Sequence, residues 1–247
     1  NIPKITAHLS PLHMLKGDIH INTLIIGNPQ IALYRESNNS PINIQFVLDK
    51  LAGDSTKDSS KLPDIRINQI QLYNGRASYH IRTAPKAEGA FSAQHIDISD
   101  IICNLSLKKL NSDTLSLYIR SISGKESSGI KIEQLQARVN ATPQAIRIEN
   151  FKLKMPASEL RADELKLKSN GKRAFEIYGD VYSNTISASD FSSLLPIATT
   201  ELPTLSLRIK TKGNNKKLAA AATIETADKS ISIKTNTAIT NFLNSEK

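Results

Sequence analysis

Period-two alternation that slips by one residue and then resumes is the feature that most restricts how this chain folds. The pattern h-x-h-x-x-h-x-h, with h apolar, runs through Ile19, Ile21, Leu24 and Ile26, and again through Ile65, Ile67, Ile70 and Leu72. It returns at Ile96, Ile98, Ile101 and Cys103, then at Ile130, Ile132, Leu135, Ala137 and Val139. Further copies are Ile146, Ile148, Phe151, Leu153 and Met155, and Leu160, Ala162, Leu165 and Leu167. Strict alternation marks a strand with one face buried. An extra residue would throw every later side chain onto the opposite face. A β-bulge at the x-x step absorbs it and bends the strand, so both halves present apolar groups to one side. Strands bent at a common level make a sheet folded along a crease.

Further strand candidates lie between these copies: 30–34, 76–82, 114–120, 173–182, 204–211, 218–226 and 230–238. Turn signals at Asn74-Gly75, Gly124 to Gly129, Thr142-Pro143, Asn170-Gly171 and Gly213-Asn214 separate them. Short strands joined by turns imply an antiparallel meander rather than βαβ units. Two segments depart from the β pattern. Ile44, Val47, Leu48 and Leu51 have helical spacing, with Ser40 as N-cap, Pro41 in the first turn and Gly53 beyond the end. Phe191, Leu194 and Leu195, between Ser187 or Ser189 and Pro196, predict a second short helix. Either would plug an end of the crease or cover a strand edge. The expected fold is therefore all-β: an antiparallel meander bent into a creased, taco-like groove with two short amphipathic helices.

No composition break divides residues 1–247 into domains. The polar tract 53–61 predicts a mobile loop, and 241–247 a frayed end. The net charge of +9 admits anionic partners. Most Lys and Arg residues, however, stand singly between apolar ones, as in Ile65-Arg66-Ile67 and Leu165-Lys166-Leu167, which places them on a solvated outer face. The absence of Trp and the 5% aromatic content suit a sheet that is apolar on one side better than a thick enclosed core. No apolar run approaches the roughly 18 residues of a membrane span. The chain begins at Asn1 rather than Met, which predicts an upstream segment, so an anchor missing here is no argument against one.

The residue types that carry chemistry are present without the spacing that chemistry needs. His8, His13, His20, His80 and His95 never fall at i, i+4, and Cys103 is the single cysteine, so no metal site is expected. Asp97 and Asp100 fall at a strand bend with nothing to place them in a shared pocket. Gly124 to Gly129 (GKESSG) lacks the Lys and Ser/Thr of a phosphate loop and reads as a hairpin. The triplets at Asn38, Asn104 and Asn140 fit glycosylation acceptors, as chance provides in a chain this rich in Asn, Ser and Thr. Tyr34, Tyr73, Tyr79, Tyr118, Tyr178 and Tyr182 are scattered rather than clustered into a base-stacking platform, so no nucleic-acid partner is expected. These observations favour a non-enzymatic protein with no cofactor.

Ile19 to Glu36 (IHINTLIIGNPQIALYRE), Asn43 to Asp49 (NIQFVLD), Asp64 to Tyr79 (DIRINQIQLYNGRASY) and Ala93 to Leu107 (AQHIDISDIICNLSL) occur in that order. They are followed by Ile146 to Ser158 (IRIENFKLKMPAS) and Ile186 to Pro196 (ISASDFSSLLP). Together these tracts resemble the N-terminal region of the TamB/AsmA-like envelope proteins of the Bacteroidota type. The resemblance covers most of residues 15–213 and rests on the order and number of the copies. It implies a periplasmic segment of a longer repeating β-groove, tethered to the inner membrane by an N-terminal segment. It also implies phospholipid transport, a role in outer-membrane biogenesis, and an Omp85-type partner met through a C-terminal region.

The expected groove lining is the inward set Ile65, Ile67, Ile70, Leu72, Ile96, Ile98, Ile130, Ile132, Ile146, Ile148, Phe151, Leu153, Leu165 and Leu167. Phospholipid acyl chains are the expected occupants. The same alternation also fits a packed β-sandwich interaction module, with or without an adhesin role. It fits equally a scaffold or chaperone that templates outer-membrane strands through its free edges.

Overall fold

The computed structural model describes residues 3–10, 19–46, 64–86, 89–111, 113–169, 174–194 and 202–240. Its strands are β1 (Lys4–Leu9), β2 (Ile19–Gly27), β3 (Gln30–Arg35), β4 (Ile65–Ile81), β5 (His95–Leu110), β6 (Leu115–Glu126) and β7 (Lys131–Thr142). They continue as β8 (Ala145–Lys154), β9 (Glu159–Ser169), β10 (Phe175–Ile186), β11 (Leu205–Asn214), β12 (Lys217–Thr226) and β13 (Ser232–Thr240). All thirteen belong to one open sheet. From β4 to β13 each strand pairs antiparallel with the next, as a meander should. No second sheet stacks on it among the described residues, so the alternative of a two-sheet sandwich is not the architecture.

All six x-x steps are register shifts. At Asn22-Thr23 the β1 partner slips between His8 and Leu9. At Asn68-Gln69 the three-residue interval Ile67 to Ile70 faces the two-residue interval Leu107 to Leu105. The steps at Ser99-Asp100, Glu133-Gln134, Glu149-Asn150 and Asp163-Glu164 each coincide with a shift against a neighbouring strand. Where two adjacent strands carry the step at the same place, they stay in register with each other: Glu149 pairs Glu164 and Phe151 pairs Ala162. The bends on β2, β4, β8 and β9 share one level, whereas those on β7 and β5 lie nearer the other end of the sheet. The crease is thus distributed, which makes the sheet curve rather than fold along one line.

The backbone at two of these steps, and at the kinks of Asn28 and Asn74, explains the residue types there. Asn28, Asn74, Asp100 and Asn150 all have φ between 52° and 54°. That left-handed region is tolerated by Asn and Asp and disfavoured for branched residues. The Asn74 amide donates to the Asn28 side-chain oxygen at 2.6 Å, linking the kinks of neighbouring strands. At the Asn68 bulge the freed carbonyl accepts a hydrogen bond from the Ser106 hydroxyl, a fully buried group, so the interrupted ladder leaves that oxygen satisfied.

Several expectations need correction. Asn74-Gly75 is a bulge inside the 17-residue β4, not a turn, so the two strands expected on either side of it are one. The meander fails at its start: β2 and β3 both run parallel to β4, along the same edge. β1 went unrecognised in the sequence. The helix expected over Ile44 to Leu51 starts as helix at 45–46 after a turn at 43–44, and the rest lies outside the described residues, as do 53–61, Asn170-Gly171 and 241–247. The second helix is a 3-10 turn, Ala188–Phe191, capped by Ser187.

Because Asn150 occupies the left-handed region, Asn150→Val should destabilise the protein by about 1–2 kcal/mol, whereas Asn150→Gly should be close to neutral. Urea unfolding followed by far-UV circular dichroism measures both. Equal stability of the two variants would show that the bulge does not hold this conformation.

Candidate functional site

Registered pairs assemble apolar side chains into rows that cross the sheet. The row nearest one rim runs Ile19, Ile65, Leu110, Leu115, Ala141, Ile146, Leu167, Ile177. The next runs Ile21, Ile67, Leu107, Leu117, Val139, Ile148, Leu165, Gly179. β10 shows that both rows share a face, because it carries no step between Ile177 and Val181. Its Ile177, Gly179 and Val181 alternate regularly while registering with Leu167, Leu165 and Ala162 of the bulged β9.

The expected lining residues fall on these rows or their continuations. Ile65, Ile146 and Leu167 stand in the rim row, and Ile67, Ile148 and Leu165 in the second. Ile70 pairs Leu105 and Phe151 pairs Ala162 one level deeper; Leu72 pairs Cys103 and Leu153 pairs Leu135 below that. Ile132 lies opposite Gly124, whose missing side chain leaves room for Ile98: a Cβ there would stand 3.2 Å from Ile98 Cγ2. Ile96 registers with Tyr79 at the far end. Ile130 precedes β7 and is used through its carbonyl, which accepts from the Glu126 N–H.

Exposure grades along this face. Ile146 and Leu167 in the rim row are 43% and 42% exposed, whereas Ala162 and Met155 farther in are 1% and 3%. Between them lies a hollow of about 400 Å³ lined by Ile146, Ile148, Leu165, Leu167, Ile177, Val181 and Ile209. Gly179 deepens it by contributing no side chain between Leu165 and Thr211. Cys103 lies in the deeper row between Leu72 and Ile122, where burial raises its thiol pKa and makes it an apolar lining residue rather than a nucleophile.

The far end is closed by the chain after β10. The Ser187 N–H donates to Ser158 Oγ at 3.0 Å, and Asp190 accepts from the Ala157 N–H at 2.9 Å. The Ser128 and Ser193 hydroxyls meet at 3.2 Å, and the Phe91 N–H donates to the Ser193 carbonyl at 3.1 Å. This short strap therefore touches the β8–β9, β6–β7 and β4–β5 connections in turn. In a flat sheet, β10 and β5 would lie about 24 Å apart at ~4.8 Å per strand. A stretch that includes a 3-10 turn reaches across only because the sheet curls here and draws the turns together.

Glu126 organises the turn that meets the strap. Its carboxylate accepts from the Ser128 N–H at 2.7 Å, the Ser127 hydroxyl at 2.9 Å and the Asp97 N–H at 3.3 Å. Burial acts to raise its pKa, but these donors outweigh it and hold the carboxyl below its ordinary value. Gly124 to Gly129 is thus the expected hairpin, with Gly129 at φ 109°.

The opposite face is ionic. Arg147 and Lys166 meet Glu164, Lys152 and Arg161 meet Glu159, and Arg208 and Lys210 meet Asp180. The solitary cations of the sequence are therefore held on the outer surface. Lys168, Lys212, Lys216 and Lys217, around the rim-end turns, form no ion pair among the described residues.

Among the described residues no three His, Cys, Asp or Glu converge on a common point. Asp97 and Asp100 do not share a site, since Asp97 meets His80 while Asp100 accepts from the Ser99 hydroxyl. The cluster that sequence reading missed is His80, His95 and Asp97. Only the β4–β5 register brings these residues together, and no local spacing announces it.

Glu126→Gln tests the closed end. A carboxyl with a lowered folded pKa contributes stability above its ordinary value of 4.5, and that contribution is lost as pH falls through the folded value. The variant should lose about 1–3 kcal/mol at neutral pH and show a flatter fall in stability below pH 4.5, read from urea midpoints across pH. No family model matches the chain, and neither does any curated protein or any solved structure.

Proposed function

We propose that this chain is a non-enzymatic segment of a β-groove that carries phospholipid acyl chains between membranes, as its resemblance to the TamB/AsmA-like proteins implies. The observation that carries the reading is the rim row with its hollow: branched aliphatic side chains in register across successive strands, left open to solvent on a single sheet. A soluble monomer rarely leaves an apolar face this continuous uncovered unless something docks there. Each methylene transferred from water to such a lining contributes about 0.8 kcal/mol. The rows repeat every strand, ~4.8 Å apart, so an acyl chain moving across them meets similar surroundings at each step. The lining is mostly aliphatic, with few polar groups such as Thr211, which favours low selectivity. Lys168, Lys212 and Lys217 have stems long enough to bring their ammonium groups toward the rim, where, with Glu176 opposite Lys168, they leave an excess of positive charge for a phosphate headgroup. On this reading the segment works in the periplasm, tethered to the inner membrane, with an Omp85-type protein as the outer-membrane partner.

A second reading, a scaffold that templates outer-membrane strands, is favoured by β13, an edge strand along which every residue is exposed. The two separate at Leu167. A photo-crosslinking residue at Leu167 should yield phospholipid adducts in cells, while one at Lys166, which faces Glu164 on the ionic side, should yield none. Leu167→Asp should abolish lipid capture with the fold intact, whereas Lys166→Ala should leave it unchanged. Lipid capture that survives Leu167→Asp, or folded protein without adducts at either position, would sink the groove reading in favour of the scaffold.

A further inference from the structure

Charge is shared unevenly between the two ends of the sheet. At the rim end, Lys108, Lys168, Lys212, Lys216 and Lys217 lie on or beside the turns. The acids near them are Asp64, Asp113 and Glu176, and Asp64 is already engaged by Arg66 at 3.2 Å, by Asn111 at 3.0 Å and by the charge of Lys109. At the closed end Lys86, Lys125 and Lys229 stand among Glu126, Asp190 and Asp228, so no such excess forms there among the described residues. The rim lysines run from β5 to β12, seven strand spacings, or ~34 Å along the sheet at 4.8 Å per strand. The same edge is apolar: Ile19, Ile146, Leu167 and Ile239 are exposed on its groove side, and Tyr178 on the reverse.

We propose that this edge seats on a lipid bilayer that bears anionic headgroups. The lysines meet phosphates, while Tyr178 and the exposed aliphatic groups reach the boundary between headgroups and acyl chains. Apolar side chains bordered by lysine are the pattern of an interfacial anchor, whereas the core of a protein–protein interface is depleted in lysine. Lysine stems are apolar enough to lie along such a boundary with the ammonium group in water, and tyrosine concentrates there. Cations spread over several turns also fit an extended surface of repeated phosphates better than one small anion. Each lysine that reaches such a surface strengthens binding roughly five-fold. The inference deepens the groove reading and rests on it for its purpose: a rim lying on a bilayer lets acyl chains enter past Ile146 and Leu167 while their headgroups stay with the lysines.

The test is co-sedimentation of the full chain with phosphatidylcholine vesicles, with and without phosphatidylglycerol. Binding should need phosphatidylglycerol and weaken as salt is added. The triple variant Lys168→Glu, Lys212→Glu, Lys217→Glu, shown folded by circular dichroism, should bind about 100-fold more weakly. The charge-matched triple Lys86→Glu, Lys125→Glu, Lys229→Glu at the closed end should lose far less. Absence of binding to the anionic vesicles would overturn the proposal. Equal losses in the two triples would do the same, because they would reduce the effect to the net charge of +9. Failure here is distinct from failure of the groove: phospholipid adducts at Leu167 without vesicle binding would overturn the docking edge alone, whereas rim-dependent binding without adducts would support the edge and remove the groove.

Discussion

A strand with one apolar face can change direction without turning that face to water only if it gains a residue where it bends. This constraint organises the molecule. At each x-x step one residue is added, the pairing slips by one, and the apolar side chains beyond the step return to the same side. At two of the six steps the added residue takes a left-handed conformation that Asn and Asp accept, which explains Asp100 and Asn150 at the second x. It also leaves backbone groups without ladder partners, and the buried Ser106 hydroxyl on the Asn68 carbonyl shows how one is satisfied. Curvature, a continuous apolar face and a closed backbone ladder are three consequences of the same insertion.

Curvature without closure leaves the sheet between two familiar solutions. A barrel or a sandwich buries its apolar rows against one another. Here Ile67, Ile81, Ala137, Met155 and Ala162 are the buried apolar residues among those described, and the rim row stays half open. The strap after β10 encloses one end, and the ion pairs centred on Glu164, Glu159 and Asp180 cover the reverse face. Exposed pairs of that kind stabilise only slightly. Their greater effect is on solubility and facing: a single sheet that carries fixed charge on one side cannot invert its strands without burying Lys and Arg.

Much of this was legible in the sequence because it is local. Alternation, the extra residue and the turn chemistry of Thr142-Pro143 or Gly213-Asn214 each occupy a few consecutive positions, and all six steps proved to be register shifts. The same pattern puts Ile65, Ile146 and Leu167 in one row and Ile67, Ile148 and Leu165 in the next. What local pattern could not give is partnership. Asn74-Gly75 carries a strong turn signature, yet its neighbours on β3 and β5 hold β4 straight through it. His80 and His95 lie far from one another in sequence terms until the β4–β5 register sets them side by side. The parallel pairing of β2 with β4 did leave a trace: Ile19, Ile21, Asn22, Leu24, Ile26 and Asn28 recur as Ile65, Ile67, Asn68, Ile70, Leu72 and Asn74. Two strands that bulge at the same residue can lie in register without a slip, and the matched asparagines at Asn22 and Asn68 meet in the structure.

The two edges of the sheet differ in a way that bears on what can be added to it. On β3 the outward-facing backbone is occupied: Asn43 accepts from the Tyr34 N–H at 3.0 Å, donates its amide to the Ala32 carbonyl at 3.0 Å, and gives its own N–H to the Tyr34 carbonyl. One residue thus imitates a neighbouring strand and blocks pairing there. β13 has no such guard among the described residues. Its Ile239 continues the rim row through Leu218, and its Ile233 stands opposite Ile224. A strand supplied to that edge, from whatever source, would extend the apolar rows at the next 4.8 Å step, whereas one supplied at β3 would first have to displace Asn43. At β3 a single asparagine side chain therefore opposes lengthening of the sheet, a guard that does not extend to β1, the outermost strand on that side, or to β13.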